Sequence, residues 1–416
     1  MTGVGKIPID WKISSLHDLC ELIKDGTHNP PVRKSLGIPL LSATNIENGK
    51  IDFLNDVTYI SENDYKQIQK FYSIRKGDIL ITVVGTLGRA AIVTSNDKFS
   101  VQRSIAILRP RRDLVNNDYF FQVLNSSNFK GQIKLYSKST AQTGKYLAEL
   151  AKLEIPLPHY IEQQKIAKIL SDTDSLIESL DKLITKKKNI KQGLMQTLLT
   201  RGIGHTKFKK TEIGEIPEEW GTAIASDIYY IVTGTTPSTA VKEYWDQGKI
   251  EWFTPKDLRY VGASFSIFTS ERKITEKAMT ENSLTLLPLN SIVLSTRAPV
   301  GYVGINTKEA TFNQGCKGLV PKQPEIVNTR FHAFYISHIS NLLNTLSGGS
   351  TFKELSKETL GNITLPLPEN GEQQEISNIL SDADKEIEVL EQKRDKYKML
   401  KTGMMQQLLT GGIRVK

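Results

Sequence analysis

Residues 27–33 read THNPPVR. The run Asn29-Pro30-Pro31 matches three of the four positions of the catalytic tetrapeptide used by enzymes that methylate an exocyclic amine of a DNA base: Asn or Asp, two prolines, then an aromatic residue. That chemistry needs the aromatic ring, because the flipped base is held by stacking. Here the fourth position is Val32, so the ring is missing. The methyl donor also has to be held, usually on a glycine-rich turn after a strand, and no such turn stands in a βαβ context. Gly85-Thr86-Leu87-Gly88 reads instead as a tight turn between strands. The 25–34 stretch is therefore expected to be a proline-stiffened loop.

Other reactive patterns fail in the same way. There is no GxxxxGK[ST] loop to cradle phosphates. Glu391-Gln392-Lys393 matches the tail of a nuclease signature, but it sits in a helical repeat and reads as a solvated face. The six histidines contain no HExxH, and His332 and His338 lie in an aromatic-rich helical stretch that suits packing or surface roles. Cys20 and Cys316 are too far apart in sequence for a zinc cluster or a disulfide framework and suit reduced thiols in a cytoplasm.

What dominates the chain is a repeat. Residues 162–203 (EQQKIAKILSDTDSLIESLDKLITKKKNIKQGLMQTLLTRGI) align without a gap to 372–413 (EQQEISNILSDADKEIEVLEQKRDKYKMLKTGMMQQLLTGGI), with about 23 identities in 42 positions at an offset of 210. The match extends upstream through IPLPHYIEQQ and LPLPENGEQQ, and the openers GKIPIDW (5–11) and GEIPEEW (214–220) also correspond. Each half is thus a variable block followed by one long helix. Apolar residues recur at helical spacing, at Ile166, Ile169, Ile177, Leu180, Ile184, Leu194 and Leu198 in the first copy, and at Ile376, Ile379, Ile387, Leu390, Tyr397, Met404 and Leu408 in the second. Proline is absent inside, and Gly202 and Gly411 follow as stops. Acids crowd the first half of each helix and bases the second, so an antiparallel coiled coil brings opposite charges together.

The two blocks share a weak skeleton. GIPLLSATNI (37–46) resembles GKIEWFTPKDL (248–258), and GDILITVVGTLGRAAIV (77–93) resembles NSIVLSTRAPVGYVGI (290–305). The segments are β-rich and bounded by turns. The reading is an α+β chain: two mixed α/β domains, 1–158 and 205–369, with helices at 159–204 and 370–416 pairing in pseudo-two-fold fashion. Length, at 416 residues, suits two or three domains, and a net charge of +9 with a pI near 9.2 permits nucleic-acid binding. No stretch reaches the ~20 apolar residues of a membrane span, and the start has no apolar signal core.

DGTHNPP (25–31), KGDILITVVGTLGRAAIV (76–93), the doubled IPLP–EQQ–ILSD run and the closing QQLLTGGIRVK (406–416) together resemble the specificity subunit of type I restriction-modification enzymes. The duplicated helix is the specific part of this resemblance. It implies two target recognition domains, each reading one half of a split double-stranded DNA target. The helices would set the gap and dock two methyltransferase subunits. Those subunits would bind S-adenosylmethionine and methylate adenine at N6, motor-nuclease subunits would join for restriction, and this chain itself would carry no cofactor and no catalysis. A cytoplasmic location follows. The alternatives are a specificity subunit of a fused or orphan methyltransferase system, a self-contained enzyme, or an adaptor that binds only protein. Base edges are read by Arg, Lys, Asn, Gln, Ser or Thr on loops. In the first domain the candidates are Arg33, Lys34, Thr44, Asn45, Arg89, Gln102, Arg103, Lys138, Gln142 and Lys145. In the second they are Thr236, Lys256, Arg259, Tyr260, Arg297, Asn313, Gln314, Lys317, Thr351 and Lys353.

Overall fold

The computed structural model describes residues 4–139, 146–259, 261, 265–297, 299–348 and 354–415, with only the backbone described over 136–139. Chain contacts form two compact units, Met1–Ser179 with Arg394–Lys416, and Leu180–Lys393. The first unit is built from two separate stretches of sequence, the second from one. Each contains one variable block plus part of both long helices, which run Tyr160–Arg201 and Asn370–Leu408.

In the first unit the run Ile79-Leu80-Ile81 is fully buried. Strand alternation explains how: Ile79 and Ile81 join one apolar cluster with Ala106 and Leu108, while Leu80 joins another with Ile105 and Ile107. A strand covered on both faces reads as an unbroken apolar run. Its sheet is antiparallel, in the order Cys20–Asp25, Ile105–Pro110, Ile79–Thr82, Ala90–Ile92. A three-stranded sheet, Thr58–Ile60, Ile38–Leu41, Ser100–Val101, packs through the second cluster. The helices Asn117–Asn125 and Ser127–Ser139 lie on the first, through Phe120 and Phe129.

The second unit repeats this plan. Tyr229–Thr233, Cys316–Pro321, Ile292–Ser295 and Val303–Asn306 follow the same order, with Ser266–Ile267 added at the edge. Ile292 and Leu294 face one cluster and Val293 the other. The three-stranded sheet is Lys273–Ile274, Ile250–Phe253, Thr311–Phe312. In both such sheets the middle strand has one antiparallel and one parallel neighbour. The weak sequence skeleton is therefore one topology used twice. Each block is also closed by pairing its first strand with its last: Lys12–Ser15 with Glu154–Leu157, and Gly221–Ile224 with Thr364–Leu367.

Within each unit the two helices pack antiparallel. In the second, Lys188 pairs with Glu391 at 2.6 Å and Lys191, about one turn on, with Asp384 at 2.5 Å, so the two helices run in opposite directions; Lys187 pairs with Glu386 at 2.6 Å between them. Glu391 is thus held in a cross-helix ion pair, a correction to its reading as a merely solvated residue. In the first unit Lys401 pairs with Asp174 at 2.6 Å, the equivalent of Lys191–Asp384 at the repeat offset. The exposed pairs contribute little. Asp384 is buried, and burial pushes its carboxyl up against the pull of Lys191. Such a pair acts on register more than on stability.

The second block also encloses a charge. Glu251, in the three-stranded sheet, is 1% exposed and takes hydrogen bonds from Lys308 Nζ at 2.7 Å and from Ser270 N and Oγ, each at 2.7 Å, with Lys273 Nζ at 2.8 Å. Burial raises its pKa, but these donors outweigh burial and bring it to about 2. A carboxyl with a depressed folded pKa stabilises above its unfolded value, near 4.3, and that contribution disappears as pH falls toward 2. Glu251→Gln is expected to lose about 3 kcal/mol at pH 7, leaving two lysines without their anion. The gap to the parent, followed by denaturant unfolding, should close as pH drops from about 4.3 to about 2. A gap independent of pH would show that Glu251 acts through shape alone.

Candidate nucleic-acid interface

The loops at one end of the sheets converge, and the same backbone bonds hold them in both units. The first element is a hydroxyl-pinned turn. Thr82 Oγ1 donates to the Thr86 carbonyl and accepts from Arg89 N at 3.0 Å, while Gly88 N donates to Thr82 O at 2.9 Å. Ser295 does the same: Oγ donates to Pro299 O at 2.8 Å and accepts from Tyr302 N at 2.8 Å, and Gly301 N reaches Ser295 O at 3.0 Å. A short hydroxyl side chain that bonds its own turn suits both places.

The second element ties this turn to its neighbours. Val83 N donates to Ser104 O and Thr296 N to Gly315 O, each at 2.8 Å. Gln102 N donates to Leu41 O at 2.8 Å, and Asn313 N to Phe253 O at 2.9 Å. Thr27 N donates to Val101 O at 3.0 Å, and Thr235 N to Phe312 O at 3.1 Å. The preceding glycine is forced in each case by close backbone approach. A Cβ on Gly26 would lie 2.1 Å from Val101 O, and one on Gly234 would lie 2.1 Å from Asn313 O. The Gly-Thr pairs of DGTHNPP and TGTTP are therefore one structural device.

Most described candidates lie on these platforms. In the first unit Thr44 and Arg103 are exposed and Arg89 and Gln102 half-buried among the bonded loops. Arg33 and Lys34 are exposed beyond them, where Lys34 N donates to Tyr59 O at 2.8 Å. In the second unit Gln314 and Arg297 are exposed and Thr236 and Asn313 half-buried. Lys256 and Arg259 are exposed on the short helix Pro255–Arg259, and Lys256 pairs with Glu271 at 2.6 Å. Two candidates need correction. Asn45 is buried; its Oδ1 accepts from Ser42 N at 2.9 Å and its Nδ2 donates to Asn55 O at 2.8 Å, so it braces the loop from inside. Lys317 is buried too, beside Glu354. Gln142, Lys145, Tyr260, Thr351, Lys353 and the side chain of Lys138 lie outside the described residues. His332 packs inside, with Nδ1 2.8 Å from Tyr229 Oη and burial lowering its pKa to about 4. Val32 is 80% exposed.

Sequence reasoning missed what the EQQ motif does. Glu162 accepts from Trp11 Nε1 at 3.2 Å, from Arg414 Nε at 2.8 Å and from Val415 N at 3.3 Å. The Arg414 guanidinium holds its carboxyl below the usual range. Glu372 accepts from Trp220 Nε1 at 2.8 Å and Ile203 N at 2.9 Å, with His205 Nε2 2.9 Å away. The glutamine that follows is equally fixed. Gln163 Oε1 accepts from Asn116 N and Gln373 Oε1 from Asn328 N, both at 2.8 Å, while Nε2 donates to Pro158 O and Pro368 O at 3.0 and 2.8 Å. The tryptophan that closes each opener, 151 residues before Glu162 and 152 before Glu372, was the available signal.

Twin loop platforms on duplicated blocks, clasped to antiparallel helices, define a scaffold that presents two different surfaces from one architecture. Comparison supplies the family. Residues 8–191 and 217–398 each match the model of the type I restriction modification DNA specificity domain, and the chain belongs to that family. It is 31% identical to a Methanocaldococcus jannaschii chain assigned as the type I restriction enzyme MjaX specificity subunit, over 100% of this chain and 96% of the relative. Its fold is shared with the S subunit of a type I restriction-modification system from M. genitalium, at a TM-score of 0.59 and 15% identity over 98% of this chain and 99% of the other. A second solved chain, from a study of type I complex assembly and conformational transition, gives a TM-score of 0.58 at 17% identity over 98% and 100%.

The glycine device makes a direct prediction. Gly234→Ala should destabilise the second unit by about 1–3 kcal/mol or more, because the new methyl meets a fixed carbonyl. Thermal unfolding measures it against Gly371→Ala, where a Cβ meets nothing within 4 Å. Equal melting of the two variants would contradict the close approach.

Proposed function

We propose that this chain is the DNA-reading, non-catalytic specificity subunit of a type I restriction-modification complex. Each platform reads one half of a split double-stranded target, and the long helices set the unread gap between the halves. Two methyltransferase subunits dock on the chain, and motor-nuclease subunits join them. S-adenosylmethionine belongs to the methyltransferase partners, and the complex works in the cytoplasm. The observation that carries the reading is the pairing of one backbone platform with two different sets of side chains. A common frame keeps the loops in place while Thr44, Val84, Gln102 and Arg103 in one unit are replaced by Lys256, Arg297, Asn313 and Gln314 in the other.

The site residues do not suit a resident methyl donor. The Gly85–Gly88 segment is committed to the hydroxyl-pinned turn, and Val32 offers no ring for a flipped base. No described helix is long and apolar enough to cross a membrane. The second solved neighbour comes from a study of complex assembly in a type I system, which supports partners of that kind here.

The test is reconstitution. The purified chain with S-adenosylmethionine and target DNA should transfer no methyl groups and make no cuts. Adding the methyltransferase subunits of its own system should give N6-methyladenine at a bipartite motif, with DNA affinity that falls steeply with salt. Methyl transfer by the chain alone at the rate of the full complex would overturn the non-catalytic reading.

A further inference from the structure

The two platforms differ most sharply in charge at one pair of aligned positions. Strand register fixes the equivalence: Thr82 is paired with Ile105 and Ser295 with Cys316, so Arg297 stands where the first block has Val84, and Lys317 where it has Ala106. The first platform is apolar there. The second carries two cations and an anion, Glu354, that joins them.

Arg297 lies on the pinned turn with its side chain 46% exposed, and its Nε donates to Glu354 Oε2 at 3.1 Å. Lys317 Nζ, on a side chain only 5% exposed, donates to the other carboxylate oxygen at 3.4 Å. A buried lysine head group needs a hydrogen-bond partner, so Lys317 and Glu354 hold one another in place. The backbone holds the same arrangement. Arg297 and Glu354 form an isolated β-bridge, and Leu355 N donates to Thr296 O at 2.8 Å. Glu354 occupies the inner edge of the guanidinium. Among the described residues, Nη1 and Nη2 of Arg297 carry no protein hydrogen bond.

A guanidinium steadied through Nε, with its terminal fork open, fits two adjacent acceptors in one plane. On a DNA major-groove edge that pattern is O6 and N7 of guanine. Orientation before binding removes part of the side-chain ordering term that an exposed arginine otherwise carries. Val84, at the same point of the first platform, offers no donor.

We infer that Arg297 reads a guanine in the half-site of the second platform, and that Glu354, anchored by Lys317, is the positioning residue that presents the fork. The inference rests on the specificity-subunit reading above. It gives that reading one base, one reader and one supporting pair.

The experiment uses the complete methyltransferase complex and a DNA library randomised one position at a time across both half-sites, with methylated molecules sequenced. The parent complex should require guanine at one position or more of the second half-site. Arg297→Lys keeps the charge but not the fork, and should lower preference for guanine at one position roughly five- to hundred-fold, leaving the first half-site unchanged. Glu354→Gln should weaken the same preference, and should add almost nothing in an Arg297→Lys background, because both act on one contact. A general structural role for Glu354 would lower methylation of all sequences alike and would not be confined to one base. Unchanged base preference in Arg297→Lys, in a complex that still methylates its split motif, overturns this assignment and leaves the specificity reading intact. A parent complex that methylates no bipartite motif overturns both.

Discussion

One carboxylate in the first turn of each long helix holds the architecture together. Glu162 and Glu372 each gather the indole N–H of their own block's opening tryptophan and a main-chain N–H from the tail that follows the other helix. Block, helix start and chain tail are therefore fixed at one point in each unit. The accompanying cation differs: Arg414 in the first unit, itself held by Asp10 at 2.7 Å, and His205 in the second, which also lies 3.0 Å from Glu219. Removing either glutamate leaves an indole donor and backbone donors without partners, which is far more disruptive than losing an exposed ion pair.

From that fixed point the platforms follow. The glutamine beside each glutamate stitches the helix start to the loop before the block's own helix, and the paired first and last strands close the block against it. The central strands are covered on both faces, so the sheet frame is rigid and its loops are anchored by main-chain bonds that do not depend on side-chain identity. This is why the exposed residues can differ so freely between the two blocks. Function on loops held by a rigid frame is the general arrangement for recognition sites.

The duplicated plan was legible from the helix repeat and from the matching openers, because apolar spacing and gap-free identity survive where loops diverge. Antiparallel pairing was legible from the repeated charge polarity, and Lys191–Asp384 and Lys401–Asp174 bear it out. The paired strands behind the weak skeleton were legible from unbroken apolar runs such as Ile79-Leu80-Ile81. Individual readers were harder. Asn45 has the composition of a base reader, yet an Asn side chain serves equally well to brace its own loop, and local sequence does not separate the two uses. Lys317 sits in a strand whose neighbours are apolar, and its partner Glu354 is 37 residues away, so the charged chain emerges only in three dimensions. The glutamate of EQQ was visible as a repeated letter. Its job depends on residues up to 253 positions distant.

Exchange of one copy shows whether the two copies of the frame read independently. Residues 12–150 would be replaced by the corresponding block of a relative, keeping Trp11 and the Glu162 clasp, and methylated adenines mapped across DNA modified by the reconstituted complex. One half of the bipartite motif should change while the other half stays as in the parent. A folded, active hybrid that changed both halves would contradict it.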